Sequence, residues 1–317
     1  MSNFRRWIPA PSPTPIRTFP KRLIRKWVYI ANEVNANIGS RLGFLGARIV
    51  GVCDNGNTLL QLNKKYALGY KGTVLELPRD LVIFESVKKK GVWELEESKF
   101  LAHGLKRLVG NHKVAFLDIG ANTGLVTLQA MNLSNSSAEV FLFEPVPRHA
   151  SAIKNNLRNL SNIHVNEFGL SDKNGYSVIF TQASNHGNTS LLNSVVPEIG
   201  MIETEIQLVD TTAYCDKFLN NFDTYIIKCD TQGMDALILS RIPESIWKNC
   251  ESAVLEVWAL DEISKQDVET LLSMFQCFNH IAWHSTPRKK KIELSEVSEF
   301  WLSKSGSSQN LFLSKNT

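Results

Sequence analysis

The stretch VAFLDIGANTGLVTL, residues 114–128, decides the fold. An apolar run ends on Asp118, the chain turns through Gly120 and Gly124, and an amphipathic pattern resumes at once. That order reads as a buried strand, a tight turn and the start of a helix. Glycine tolerates positive φ and close approach by a ligand. The first turn of a helix also points unpaired N–H groups at whatever fills the turn. A nucleotide-like cofactor is the expected occupant.

Downstream the same beat repeats. The helix of this first unit is expected over residues 123–131. EVFLF leads to a helix over 148–160, followed by IHVNEF. YIIKCD leads to a helix over 235–241, SAVLEVW to one over 267–275, and HIAW and NLFLS close the chain. YSVIF and EIQLV read as an added hairpin. Strands alternating with helices predict a parallel, doubly wound α/β sheet with helices on both faces. Ligands in such sheets bind beyond the carboxyl ends of the strands.

Upstream, RIVGV, TLLQL, TVLEL and LVIFE read as short strands, with residues 54–57 as a hairpin turn. Residues 93–108 read as a helix carrying Trp93, Leu95, Phe100, Leu101 and Leu105 mostly on one side. Residues 23–38 read as a helix ending at Gly39. Residues 1–22 hold five prolines and several arginines and lysines. They read as a loose, solvated arm, with contact to an anionic membrane surface as the weaker reading. The expected organisation is an arm over 1–22, an extension of short strands and helices over 23–110, and an α/β domain over 111–317.

Composition sets bounds on all of this. With 317 residues and 43% apolar side chains, the chain supports a substantial core and is not generally disordered. A net charge of +4 does not by itself imply nucleic acid. Cys53, Cys215, Cys229, Cys250 and Cys277 are odd in number and form no CxxC pair. That fits reduced thiols in the cytoplasm better than a disulfide framework or a zinc site. No apolar run reaches the roughly 20 residues of a membrane span, and no metal-ligand spacing is present.

Chemistry is expected just after the strands. The glycines of Asp118-Ile-Gly-Ala-Asn-Thr-Gly124 are spaced GxxxG, whereas a dinucleotide turn prefers GxGxxG so that its second glycine admits a pyrophosphate. Asn122 occupies that place. S-adenosylmethionine, which carries an amino-acid end in place of a diphosphate, suits such a turn. Asp118 is expected to accept from its ammonium, and the turn amides to face its carboxylate. Glu144 ends the next strand, about 20 residues past Gly124, where an acid accepts both hydroxyls of a ribose. Leu170 is placed to cover an adenine. Asp172 either accepts from the adenine amino group or belongs to an ordinary turn, SDKNG. After the fourth strand, Asp230 is the first candidate for a base or acceptor-orienting group. Lys228 lies two residues earlier on the same face, and His186, in SNHGNTS, which reads as a loop, is the second candidate base. Asp235 begins a helix, where a charge or cap is a sufficient reason for an acid.

GANTG, FEP with Asn156 downstream, GLSD with Gly175, and IKCDTQGMD together resemble the FkbM family of S-adenosylmethionine-dependent methyltransferases. Gly91 and Glu94 resemble the element before the family's first strand, and Asn188-Thr-Ser190 a stretch between its third and fourth. The resemblance runs from about Val87 to Trp258. It implies a class I methyltransferase (Rossmann-like) fold with a mostly parallel seven-stranded sheet, and usually O-methylation of a sugar, glycan or specialised metabolite. It also implies that Asp118, Gly120, Asn122 and Gly124 line the methionine end, Glu144 holds the ribose, and Lys228 and Asp230 match the family's lysine and first acid. Two positions depart from the family's DxEGxE: Gln232 and Asp235 replace its glutamates. Gln232 cannot take a proton, which keeps a catalytically degenerate scaffold protein in view. A nicotinamide oxidoreductase is disfavoured by the GxxxG turn. Nucleic acid is not an expected partner, because CDTQG is unlike the DPPY or NPPY segments of enzymes that methylate it. The oligomeric state is not legible.

Overall fold

In the computed structural model, residues 46–108, 110, 113–182, 184–192, 201–285 and 290–316 are described. The arm over 1–22, the helix expected over 23–38 and all of 193–200 lie outside them.

Val114–Ile119 is a fully buried strand, β4. Its residues alternate between two apolar layers: Ala115, Leu117 and Ile119 pack into one core, Val114 and Phe116 into the other. Burial on both faces is what a doubly wound sheet demands of a central strand. The seven-stranded sheet runs β13-β14-β12-β11-β4-β5-β6. Its members are β5 (Glu139–Phe143), β6 (Ile163–Asn166), β11 (Thr224–Cys229), β12 (Cys250–Trp258), β13 (His280–Trp283) and β14 (Ser308–Ser314). All pairs from β6 to β12 are parallel. β14 is antiparallel to both β12 and β13. This is the mostly parallel seven-stranded sheet that the resemblance implied. Strand order reverses on the two sides of β4, so the carboxyl ends of β4, β5 and β11 surround a crevice at the switch point.

Upstream, β1 (Ala47–Val52), β2 (Thr58–Leu62) and β3 (Val74–Leu77) form an antiparallel three-stranded sheet. The turn between its first two strands is the expected one. Its buried Leu60, Leu62, Leu75 and Leu77 pack in the same core as Phe116. LVIFE is not the expected strand. Helix α1 covers Ile83–Lys90, with Ile83, Phe84 and Val87 buried on one side. Asp80 starts it by accepting from the backbone of Val82 and Phe84 at 3.0 and 2.9 Å. A five-residue apolar run carries too little periodicity to separate strand from helix. Helix α2 covers Leu95–Arg107 and begins two residues later than expected, because Glu94 sits at φ 40°. Helix α3 (Leu125–Ser134) follows the glycine turn, and α4 (Pro147–Asn156) follows β5.

The added hairpin is larger than expected. β8 (Gly175–Gln182) and β10 (Met201–Asp210) pair antiparallel. SNHGNTS, read as a loop, supplies β9 (Asn185–Ser190), and β7 (Gly169–Ser171) joins β10 in parallel. This four-stranded sheet, ordered β7-β10-β8-β9, walls one side of the crevice. Past β10 come α5 (Thr211–Phe218), α6 (Asp235–Leu239), α7 (Glu244–Lys248), α8 (Lys265–Phe275) and α9 (Leu294–Trp301). Among the described residues, no helix is long and apolar enough to cross a membrane.

Candidate cofactor and active site

The crevice opens into a cavity of about 390 Å3, a volume suited to a small organic ligand. One end is apolar, walled by Leu170, Ile179, Ile206 and Leu208. The other is acidic, with Glu94, Asp230 and Glu256 on the wall beside Lys228, Trp93 and Trp258.

The turn between β4 and α3 lines the cavity with Gly120, Ala121, Asn122 and Thr123. Gly120 has φ 73°, and a Cβ there would fall 1.9 Å from the Asp230 carbonyl oxygen. The glycine is therefore required by protein backbone, before any ligand is considered. The turn amides are also spent internally. Gly120 and Ala121 both donate to the Phe143 carbonyl, at 3.0 and 3.1 Å, and Gly124 donates to that of Ala121. Asn122, at φ 50°, donates its backbone N–H to Glu144 at 2.8 Å. These four amides are not free to face the carboxylate of a cofactor, which corrects that expectation for them.

Glu144 is nearly buried and lines the cavity. Its two oxygens accept from Asn122 and Val146, which fixes the carboxylate and leaves further lone pairs for hydroxyl donors. Leu170 lies on the wall. Asp172 does not: it is exposed and accepts from Ser171 at 3.2 Å. Two polar atoms on wall residues, Asn122 Oδ1 and Thr231 Oγ1, are buried without hydrogen-bond partners. Fixed carboxylate, orphaned polar atoms, an apolar slot and an acidic end fit S-adenosylmethionine, a cation with a nucleoside at one end and an amino acid at the other.

Asp118 lies behind the wall. It is fully buried, accepts from Thr127 Oγ1 at 2.6 Å and faces Lys228 Nζ at 3.3 Å. Lys228 is its register partner on the adjacent strand. The ammonium also donates to the Gly120 carbonyl at 2.9 Å and approaches Asp230 at 3.9 Å. Burial opposes this charge, but the carboxylates of Asp118, Asp230 and Glu94 outweigh burial and hold the lysine above its ordinary pKa. Lys228 is thus a cation locked between the turn and three acids. It is not a poised base.

His186 is also corrected. Its ring is buried against His149, 3.4 Å from Nε2, and is not on the cavity wall. Burial first, then His149 and Arg148, lower its pKa to about 4. Its backbone does the useful work, since its carbonyl accepts from Asn122 Nδ2 at 2.9 Å.

Asp230 stands at the end of β11 with its side chain 27% exposed. Gln232 Nε2 donates to it at 2.7 Å and to Glu256 at 2.6 Å. The amide bridges two carboxyls that would otherwise repel. Trp258 Nε1 and Ser308 Oγ complete the shell of Glu256. Burial, then the Asp230 charge, push Glu256 well above the carboxylate range. Sequence reading missed Glu256, because an acid in SAVLEVW looks like the solvent side of a strand. Asp235 lies in the first turn of its helix, as a helix-start charge would, but caps nothing there; it accepts from Thr231 and Gly233 and fixes the preceding loop. Burial and Asp230 raise its pKa to about 6.

The bridge makes Gln232→Glu informative. A third carboxyl would replace the donor between two others, so its folded-state pKa would rise above the unfolded value. The cost is then absent in acid and grows as pH rises through that raised pKa. Urea denaturation should show a loss of about 3 kcal/mol near pH 8, shrinking toward pH 5. An equal loss at both pH values would discredit the bridging role.

The chain matches the profile of the Methyltransferase FkbM domain over residues 118–277. No curated protein sequence matches it. Among solved structures it is similar to an S-adenosylmethionine-dependent methyltransferase from Agrobacterium tumefaciens, at 12% identity over 86% of this chain and 77% of that one, TM-score 0.40. It is also similar to precorrin-6y C5,15-methyltransferase from Geobacter metallireducens GS-15, at 14% identity over 72% and 93%, TM-score 0.34. A putative RNA methyltransferase from Pyrococcus horikoshii matches at 13% identity over 69% and 82%, TM-score 0.33.

Proposed function

The chain belongs to the FkbM methyltransferase family, whose cofactor is S-adenosylmethionine, and from that premise we propose that it methylates a hydroxyl group on a sugar, a glycan or a specialised metabolite. The observation that carries this reading is Asp230, a carboxylate on the cavity wall with one oxygen held by Gln232 and the other facing Lys228 at 3.9 Å.

S-adenosylmethionine supplies a methyl group on a positively charged sulfur, which departs as a neutral thioether. The protein's task is to position the acceptor, exclude water and take the hydroxyl proton. Asp230 is the group for that proton. The amide of Gln232 holds its carboxylate in one orientation, and Lys228 supports its charge. Trp93 and Trp258 offer flat apolar surface beside the acids, an arrangement suited to a ring that carries hydroxyls. Glu144 and Leu170 fall to the nucleoside. Gln232 leaves no gap where the family has a glutamate, which favours an active enzyme over a degenerate scaffold.

The test begins with purified protein, labelled S-adenosylmethionine and extracts of metabolites and glycans, to identify the product. With that acceptor and the cofactor both saturating, Asp230→Asn should lower kcat about 100-fold or more. Full turnover by the variant would remove Asp230 from the proton transfer. Label appearing on nitrogen would overturn the hydroxyl assignment.

A further inference from the structure

Three of the carboxyls around the acidic end are already engaged. Asp118 is held by Thr127 and Lys228, Asp230 by Gln232, and Glu256 by Gln232, Trp258 and Ser308. Glu94 differs. Its carboxyl caps nothing in its own helix, and among the described residues no donor bonds to it.

The chain nevertheless holds this residue in place. Trp93, just before it, is gripped at both its N–H and its carbonyl by the side chain of Gln129, a fully buried amide that also reaches Ser98. Glu94 itself takes φ 40°, ψ 56°, a conformation that costs a residue with a side chain about 1–3 kcal/mol. The result is a carboxyl delivered to the cavity wall with no hydrogen-bond donor on it among the described residues. Burial and the Asp230 charge raise its pKa to about 8, with Lys228 pulling the other way. A cation placed alongside would relieve that burden.

We propose that the Glu94 carboxylate binds the ammonium group at the amino-acid end of S-adenosylmethionine. Asp118, the residue first expected in that role, is sealed behind Lys228. Glu94 stands with Lys228 and Asp230, which meet the Gly120 end of the turn, and Glu144 holds its Asn122 end, so a ligand with its nucleoside at Glu144 brings its amino-acid end to this carboxyl. The assignment rests on the cofactor occupying this cavity.

Calorimetric titration with two ligands tests it: S-adenosylhomocysteine, and 5′-methylthioadenosine, which lacks the amino-acid end. Glu94→Gln should weaken the first about 10- to 100-fold and leave the second within about twofold. Equal weakening of both, or of neither, overturns the assignment. Wild type gives an independent readout should the variant fold poorly. At pH 7, binding of S-adenosylhomocysteine should release a proton, seen as an enthalpy that depends on the buffer's ionisation heat, and binding of methylthioadenosine should not. Identical proton release by both ligands also overturns the assignment. Binding of neither ligand by wild type overturns the cofactor reading and this assignment together.

Discussion

Gly120→Ala is expected to weaken cofactor binding at least about 100-fold and to cost about 3 kcal/mol or more of stability. Two effects add. The turn holds this residue at φ 73°, where an alanine pays about 1–2 kcal/mol. The larger effect is contact: the new methyl would sit 1.9 Å from the Asp230 carbonyl oxygen. That oxygen is backbone and cannot swing aside like a side-chain end. Relief requires the end of β4 to part from the end of β11. Such movement breaks the bond from Asp230 N–H to the Ile119 carbonyl at 3.0 Å and the bond from Lys228 to the Gly120 carbonyl. Both the turn and the proposed base would shift. Calorimetry with S-adenosylhomocysteine and urea denaturation measure the two losses. Affinity within about threefold of wild type would mean that the turn yields more cheaply than its packing implies.

Lys228→Met should destabilise the fold by about 3–5 kcal/mol, because it strands an ionised Asp118 inside the core. Asp118 has no exposed surface, and its remaining donor is the Thr127 hydroxyl. Adding Asp118→Asn removes the stranded charge and should recover more than half of the loss. Urea denaturation of the two single variants and the double variant closes the cycle. Losses additive within about 0.5 kcal/mol would show that the two residues do not act as a pair.

The parts legible in the sequence are those that follow from local pattern. VAFLDI is apolar at every position but Asp118, so a central buried strand is its natural reading. Glu144 and Asp230 could be singled out because the residue after a strand faces the crevice in any doubly wound sheet. What escaped depends on neighbours far apart in the chain. Lys228 reaches Gly120 across 108 positions, and only the adjacency of β4 and β11 makes Asp118 a partner of Lys228 instead of a ligand for the cofactor. Glu256 is legible only once Gln232 and Asp230 are seen beside it. His186 drew notice as a histidine near a loop, but that loop is a strand whose ring points into protein. Asp172 sat in a turn-rich stretch where a surface turn and a ligand contact look alike, and the turn prevailed.

The ion pair between Asp118 and Lys228 has one more consequence. These residues stand directly opposite each other on parallel neighbours, and side chains on a strand alternate between faces. Sliding β11 by one position would turn the ammonium into the layer of Leu117 and Ile119 and leave the carboxylate facing hydrocarbon. Apolar strands such as VAFLDI and TYIIKC offer little else to tell one alignment from the next, since valine, isoleucine and leucine substitute for one another at small cost. A single pair of opposite charges therefore acts as an alignment pin for the centre of the sheet, penalising mispaired chains before the crevice above it has formed.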